Sequence, residues 1–251
     1  MAVGDVSIRG VSFKYPDGQP ALTEVSLEIT GGESVGVLGC NGAGKSTLLQ
    51  HFNGLLRGTG EVFIGELLLG EKTLNDIRAR VGLVFQDPDD QLFMPTVFDD
   101  VAYGPRCRGL PETEVRRRVE RSLGVVGLAA EASRPPHHLS LGQKKRAALA
   151  TVLSLDCQVL VLDEPTSGLD PRGRRELLAY LRKVPCTRIV ATHDLEFALE
   201  LCTRAVVLDG GRVAAEGPIR ELLADDTLME RTGLEVPHSL RFHAMGHPHH
   251  H

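Results

Sequence analysis

The stretch Gly39-Cys40-Asn41-Gly42-Ala43-Gly44-Lys45-Ser46-Thr47 constrains this chain more than any other. It fits the pattern glycine, four residues, Gly-Lys-Ser/Thr, which marks a phosphate-binding loop where it joins a strand to a helix. Both flanks supply that context. Val35-Gly36-Val37-Leu38 reads as a buried strand, and Ser46-Thr47-Leu48-Leu49-Gln50 reads as a helix start. Gly39, Gly42 and Gly44 permit tight backbone geometry that a Cβ hinders. Successive N–H groups can then turn inward as an anion nest, facing the same anion as the positive end of the helix dipole. In such a loop Lys45 reaches the β- and γ-phosphates, and Ser46 places its hydroxyl on Mg²⁺.

With 251 residues the chain can form one large domain, or one domain with an inserted subdomain. Its 42% hydrophobic and 24% charged content is ordinary for a globular protein. No apolar run approaches the ~20 residues of a membrane span. Met1-Ala2-Val3-Gly4-Asp5 lacks the basic-then-apolar pattern of a signal peptide, so the cytosol is the default expectation. A net charge of −5 argues against bulk nucleic-acid binding. The five cysteines form no C-x-x-C pair, so neither a zinc site nor a disulfide framework is expected. Cys107, Cys157, Cys186 and Cys202 read as small apolar fillers. Cys40 lies in the phosphate loop, where an alkyl adduct would project beside the nest.

Further along, Val159-Leu160-Val161-Leu162 is a continuous apolar strand, as in a parallel sheet covered on both faces. It ends in Asp163-Glu164, and two acids there are costly to place. Ligand sites of open α/β sheets sit at such strand ends. Asp163 suits a Mg²⁺ ligand and Glu164 the polarisation of an attacking water. Ile189-Val190-Ala191-Thr192 is another strand, ending in His193-Asp194. That His is placed to sense a γ-phosphate or position water, or else is a structural histidine.

Val6-Ser7-Ile8-Arg9 and Val25-Ser26-Leu27-Glu28-Ile29 alternate as antiparallel strands with one wet face. The turn between them brings Tyr15 near a loop, either as edge packing or as a surface for stacking a base. Gly58 to Gly65 and Val81 to Phe85 read as further strands, the second ending at Gln86. In the loop that follows, Leu92, Phe93 and Met94 either form a contact surface or tuck into the core. Val115, Val119, Leu123 and Val126 recur at helical spacing; Arg116, Arg117, Arg118 and Arg121 occupy a solvated face or meet an acidic partner. Pro135-Pro136-His137-His138 reads as loop, and Ser140 as the N-cap of an alanine-rich helix. Asp209-Gly210-Gly211 signals a hairpin. Beyond Leu234 the chain is His-rich and reads as a metal-binding segment, a flexible end or a purification tag.

Taken in order, these motifs resemble the nucleotide-binding subunit of ABC transporters along nearly the whole chain. The phosphate loop spans Gly39 to Ser46, the glutamine loop lies at Gln86, and Leu139-Ser140-Leu141-Gly142-Gln143 resembles the family signature. Val159 to Glu164 resembles the Walker B strand, Ser167-Gly168-Leu169-Asp170 the D-loop, and His193 the switch histidine. The signature usually has glycine where this chain has Leu141. The resemblance implies a parallel α/β core of the P-loop type, with an N-terminal antiparallel β subdomain and an inserted α-helical subdomain. It implies an ATPase domain over 1–235, made of a core (1–88 and 147–235) and a helical subdomain (89–146), followed by the tail 236–251. Its cofactors would be ATP and Mg²⁺. Tyr15 would stack on adenine; the residues from Gly39 to Thr47, with Ser140, Gly142 and Gln143, would bind nucleotide. Ser46, Gln86 and Asp163 would hold the metal, and Glu164, His193 and Gln86 would act in catalysis. Ser140 and Gly142 would come from a second, head-to-tail subunit, in a homodimer or a heterodimer with a paralogue.

Phe85-Gln86-Asp87-Pro88-Asp89-Asp90-Gln91-Leu92-Phe93, with Thr96-Val97 and Asp100 to Pro105, is similar to the ATPases of energy-coupling-factor importers, especially the cobalt-import type. This implies a motor for uptake of cobalt or nickel, or alternatively a vitamin, at the cytoplasmic face of the cell membrane. The loop from Asp87 to Pro95 would dock an integral membrane subunit, with Leu92 and Phe93 as anchors. A soluble ATPase of the same family is the rival reading; nucleic acid is not an expected partner.

Overall fold

The computed structural model describes residues 4–245. Two long strands, β1 (Val6–Lys14) and β2 (Pro20–Ile29), precede β3 (Ser34–Leu38), which runs into the phosphate loop and helix α1 (Lys45–His51). β4 (Thr59–Ile64), β5 (Leu67–Leu68), α2 (Leu74–Arg80) and β6 (Val81–Val84) follow. Three helices come next, α3 (Val97–Cys107), α4 (Glu112–Val125) and α5 (Leu141–Leu153). Strands and helices then alternate through β7 (Val159–Asp163), α6 (Pro171–Leu181), β8 (Thr187–Ala191), α7 (Leu195–Leu201) and β9 (Arg204–Asp209). β10 (Arg212–Pro218), α8 (Ile219–Leu223), α9 (Asp226–Arg231) and α10 (His238–Met245) complete the described chain.

One sheet is antiparallel, in the order β2-β1-β4-β5. The other has the order β10-β9-β3-β8-β7-β6, parallel from β9 to β6 with β10 antiparallel at one edge. Successive residues of its central strands enter opposite cores. Val159 and Val161 pack with the antiparallel sheet and α1, while Leu160 and Leu162 pack with α3, α4 and α5. Burial on both faces explains why these strands are unbroken apolar runs rather than alternating ones.

The expected hairpin forms, with Arg212 opposite Asp209 and positive φ at both Gly210 and Gly211. In α4, Val115, Val119 and Leu123 face the core as their spacing requires. The arginines opposite are partly used within the chain: Arg118 meets Glu114 at 2.7 Å and Asp156 at 3.0 Å, and Arg116 lies over the Phe98 ring. α5 begins at Leu141 and runs unbroken through the expected subdomain boundary at 146.

Two expectations need correction. Cys107 is exposed, because Val97, Val101 and Pro105 set the buried face of α3 and residue 107 lies off it. The chain beyond Leu234 is not simply a flexible end: Val236 is buried, Leu240 packs on the core, and Ser239 Oγ donates to Glu196 at 2.6 Å. The last six residues, His247 and His249 to His251 among them, lie outside the described part.

Candidate nucleotide site

The order β3-β8-β7-β6 lines up four carboxyl ends in a row. They present Lys45 and Ser46 after β3, His193 after β8, Asp163 and Glu164 at β7, and Gln86 after β6. Residues scattered over more than a hundred positions thus meet at one edge of the sheet, where open α/β folds bind ligands.

The phosphate loop has no room for side chains at two glycines. A Cβ on Gly39 would come within 2.4 Å of the Leu208 carbonyl oxygen, and one on Gly44 within 2.6 Å of that of Ala21. Gly44 is also the N-cap of α1 with φ +99°. Lys45 Nζ donates to the Gly39 and Cys40 carbonyls at 2.8 and 3.1 Å, so the ammonium sits inside the loop. Asn41 and Gly42 form its exposed crest, while Ala43 and Thr47 are buried. Tyr15 is placed beside it: its hydroxyl shares a 2.8 Å hydrogen bond with Thr47 Oγ1, its ring stacks edge-on with Phe13, and it remains 41% exposed. The Cys40 side chain departs from expectation. Its thiol donates to the Thr232 and Gly233 carbonyls at 3.2 and 3.1 Å, so an adduct there meets the segment after α9.

The acid pair divides its tasks. Asp163 accepts from Ser46 Oγ at 3.1 Å. Burial pushes its carboxyl pKa up, against the Ser46 hydrogen bond and the charges of Lys45 and Lys145. A buried carboxylate beside a hydroxyl is the hard-oxygen donor set that suits Mg²⁺, whose charge offsets the desolvation. Glu164 is buried, with one carboxylate oxygen 3.8 Å from Lys45 Nζ and the other 2.8 Å from His193 Nδ1. Its φ of +43° is strained for a non-glycine residue, and its N–H is held by the Ala191 carbonyl at 2.9 Å. Gln86 is exposed at the mouth of the same cleft.

Sequence reasoning missed Lys145. Its Nζ donates to the Gln86 and Glu164 carbonyls, both at 3.1 Å, and so ties the glutamine loop to the acid pair. Burial pulls its pKa down, and Glu164, Asp87 and Asp163 oppose the shift. It follows the Ser140 cap, in the run Lys144-Lys145-Arg146 to which sequence reasoning gives no role. Helical spacing held the signal, since Lys145, Ala148, Leu149 and Val152 share one buried face of α5.

Ser140 and Gly142 do not join this cleft. They line a separate one with Asp170, and the two clefts share only Leu141 and Gly168. Ser140 and Gln143 form a capping box at the start of α5. Leu141 takes the first helical position without disturbing that cap, and its side chain leans over Gly168.

The loop after Gln86 is half anchored. Gln91 Nε2 donates to the Ala148 carbonyl at 2.9 Å and Thr151 Oγ1 at 2.7 Å, and Leu92 is buried. Leu92 is therefore core rather than a docking anchor, because the short helical turn at Pro88–Asp90 rotates it inward. Phe93 is 64% exposed, edge-on to Tyr103. Asp100 holds this turn, accepting from the Phe93 and Met94 N–H groups at 2.9 and 3.0 Å.

The sequence profile described as ABC transporter matches residues 22–167, more than half of the chain. The chain belongs to the ABC transporter family. It is an ATPase with ATP and Mg²⁺ as cofactors. A protein named as an ABC transporter ATP-binding protein in Geobacter sulfurreducens is 52% identical over 94% of this chain and 95% of its own. The energy-coupling factor transporter ATP-binding protein EcfA of Carboxydothermus hydrogenoformans is 50% identical, covering 92% of this chain and 87% of its own. Among solved structures, CbiO1 of Clostridium perfringens, part of the ABC transporter complex CbiONQ, superposes with a TM-score of 0.80 at 37% identity, over 95% of this chain and 98% of that one. The fold matches these cassettes, with the antiparallel sheet and the helical insert in place. Among the described residues no helix is long and apolar enough to cross a membrane.

Proposed function

We propose that this chain is the ATP-hydrolysing subunit of an energy-coupling-factor importer that takes up a transition-metal ion, cobalt or nickel. The observation that carries the ATPase mechanism is the row of strand ends presenting Lys45, His193, Glu164 and Gln86. The importer type is supported by the stretch from Phe85 to Phe93 and by the similarity to CbiO1 and EcfA proteins. Vitamin uptake is the second reading, since the EcfA relatives carry no metal in their names.

Tyr15 stacks on the adenine, its ring fixed by Thr47 and Phe13. The loop N–H groups from Gly39 to Thr47 and Lys45 take the phosphates, and the ammonium exchanges the Gly39 and Cys40 carbonyls for phosphate oxygens. Ser46, Asp163 and Gln86 would hold Mg²⁺, which would neutralise phosphate charge when bound. Glu164 accepts a hydrogen bond from the attacking water, and His193, bound to its carboxylate, orients it. Ser140, Gly142 and Gln143 complete the site of a facing subunit, either a second copy or a paralogue. Phe93 contacts the membrane subunit, which places the chain at the cytoplasmic face of the membrane.

The test is reconstitution with a membrane subunit and substrate-binding component, followed by uptake of Co²⁺, Ni²⁺ and vitamins in parallel. ATP-dependent Co²⁺ or Ni²⁺ uptake is expected. Vitamin uptake alone would overturn the metal reading and keep the motor; neither, with full ATPase activity, would favour a soluble role.

A further inference from the structure

We propose that Cys157 and Cys186 are a redox pair that closes into an intrachain disulfide on meeting a small-molecule disulfide. Both lie at the amino-terminal feet of β7 and β8, the opposite end of the sheet from the phosphate loop. The backbone sets them side by side. Thr187 N–H donates to the Gln158 carbonyl at 3.1 Å, and each of these residues directly follows a cysteine. The register Val159–Thr187 puts Cys186 opposite Gln158 and Cys157 one residue along. Strands ~5 Å apart with a rise of ~3.3 Å per residue leave such a diagonal pair roughly 6 Å apart at Cα, inside the ~7 Å that a disulfide tolerates. The side chains lie close enough for each thiol to shift the other's titration.

These thiols do not simply fill core. Both line a cavity of about 390 Å³ bounded by α4, the end of α5 and the segment before β8. Val125, Leu153, Val184 and Pro185 form apolar walls. Ser122 lines it too, and its buried hydroxyl has no hydrogen-bond partner among the described residues. Cys157 is half-buried and Cys186 buried, so the first is the sulfur within reach.

The chemistry balances with the incoming disulfide as oxidant. The Cys157 thiolate attacks R–S–S–R, forms a mixed disulfide and releases one R–S⁻. The Cys186 thiolate then attacks the Cys157 sulfur and expels the second R–S⁻. The two cysteine protons pass to the released thiolates; the cysteines are oxidised and the small disulfide reduced. Cys157 and the nearby Arg188 charge hold the Cys186 thiol below its ordinary pKa against burial, while Cys186 and burial push the Cys157 thiol up, so the first attack follows transfer of the Cys157 proton to the Cys186 thiolate. The bridge would close a loop containing β7, the Asp163-Glu164 pair and α6. In a reducing compartment such a bond is transient.

The experiment uses the full chain, reduced, freed of reductant and incubated with oxidised glutathione, then mapped by mass spectrometry without reduction. The expected product has lost two hydrogens at this pair, yields one linked peptide joining Cys157 to Cys186, and melts at a higher temperature than the reduced chain. Cys157→Ser and Cys186→Ser should each abolish the linked peptide and that rise. If Cys157 and Cys186 of the unsubstituted chain return as free thiols or as stable glutathione adducts, the proposal is overturned. A linked peptide that pairs either one with another cysteine overturns it equally.

Discussion

The phosphate-loop half and the signature half of the site are built in opposite ways. In the first, Lys45, Asp163 and Glu164 are each 6% exposed and are tied to one another, to Ser46 and to His193. In the second, Ser140 is exposed and its hydrogen bonds stay within its own capping box. Groups that work inside one chain are desolvated and held by neighbours, which strengthens their electrostatics. On the proposed reading Ser140 serves a ligand on another chain, and such a group must remain at the surface; a helix N-terminus can do so because its cap satisfies only part of its free N–H groups.

The sharpest way to break the first half is Glu164→Gln. Turnover should fall about 100- to 10,000-fold while ATP still binds and an ATP-bound dimer accumulates. Phosphate release alongside nucleotide binding checks this; near-normal turnover would remove Glu164 from the chemistry.

The matching break in the second half is Ser140→Arg, expected to lower turnover by about 100-fold or more through lost positioning. ATP affinity of the isolated chain should not change, because Ser140 lies outside the Ser46 cleft. Mixing Ser140→Arg with Lys45→Ala subunits should restore one competent site. A parallel fall in ATP affinity would place Ser140 in its own chain's site.

A smaller effect separates Leu92 from Phe93. Leu92→Ala should cost ~2–5 kcal/mol of stability, as for a core leucine. Phe93→Ala should shift stability by no more than about 0.5 kcal/mol, yet abolish copurification with the membrane subunit. A large drop in melting temperature for Phe93→Ala would return it to the core.

The smallest expected effect concerns Asp100, whose pKa is raised chiefly by burial and whose second oxygen has no partner among the described residues. For an acid with a raised folded pKa, the stability it contributes is present below the unfolded value of 3.8 and lost as pH rises through the folded one. Asp100→Asn keeps an acceptor for the Phe93 and Met94 N–H groups without the charge. It should remove that pH dependence and raise stability at neutral pH, where the buried charge of Asp100 is unfavourable. Identical denaturation profiles from pH 4 to 8 would contradict this.

Much of the site was legible because its chemistry is written in contiguous backbone. A glycine-rich turn between strand and helix, and acids ending an apolar strand, have few other physical uses. Side-chain direction in irregular segments was not legible. Leu92 and Phe93 are adjacent and both apolar, and only the turn at Pro88–Asp90 decides which one is buried. Cys40 shows the same limit: its thiol partners, Thr232 and Gly233, lie 192 and 193 residues away.

By itself the sequence determined the phosphate loop, the buried parallel strands, the Ser140 cap and the hairpin at Gly210-Gly211, all set by local backbone and burial rules. Only the tertiary structure decided that β8 lies between β3 and β7, bringing His193 to Glu164. It also decided that Lys145 turns inward to join Gln86 to Glu164. Parallel neighbours are connected through crossovers, so no short-range signal records which strand lies beside which. That order emerges only when the sheet buries both of its faces at once.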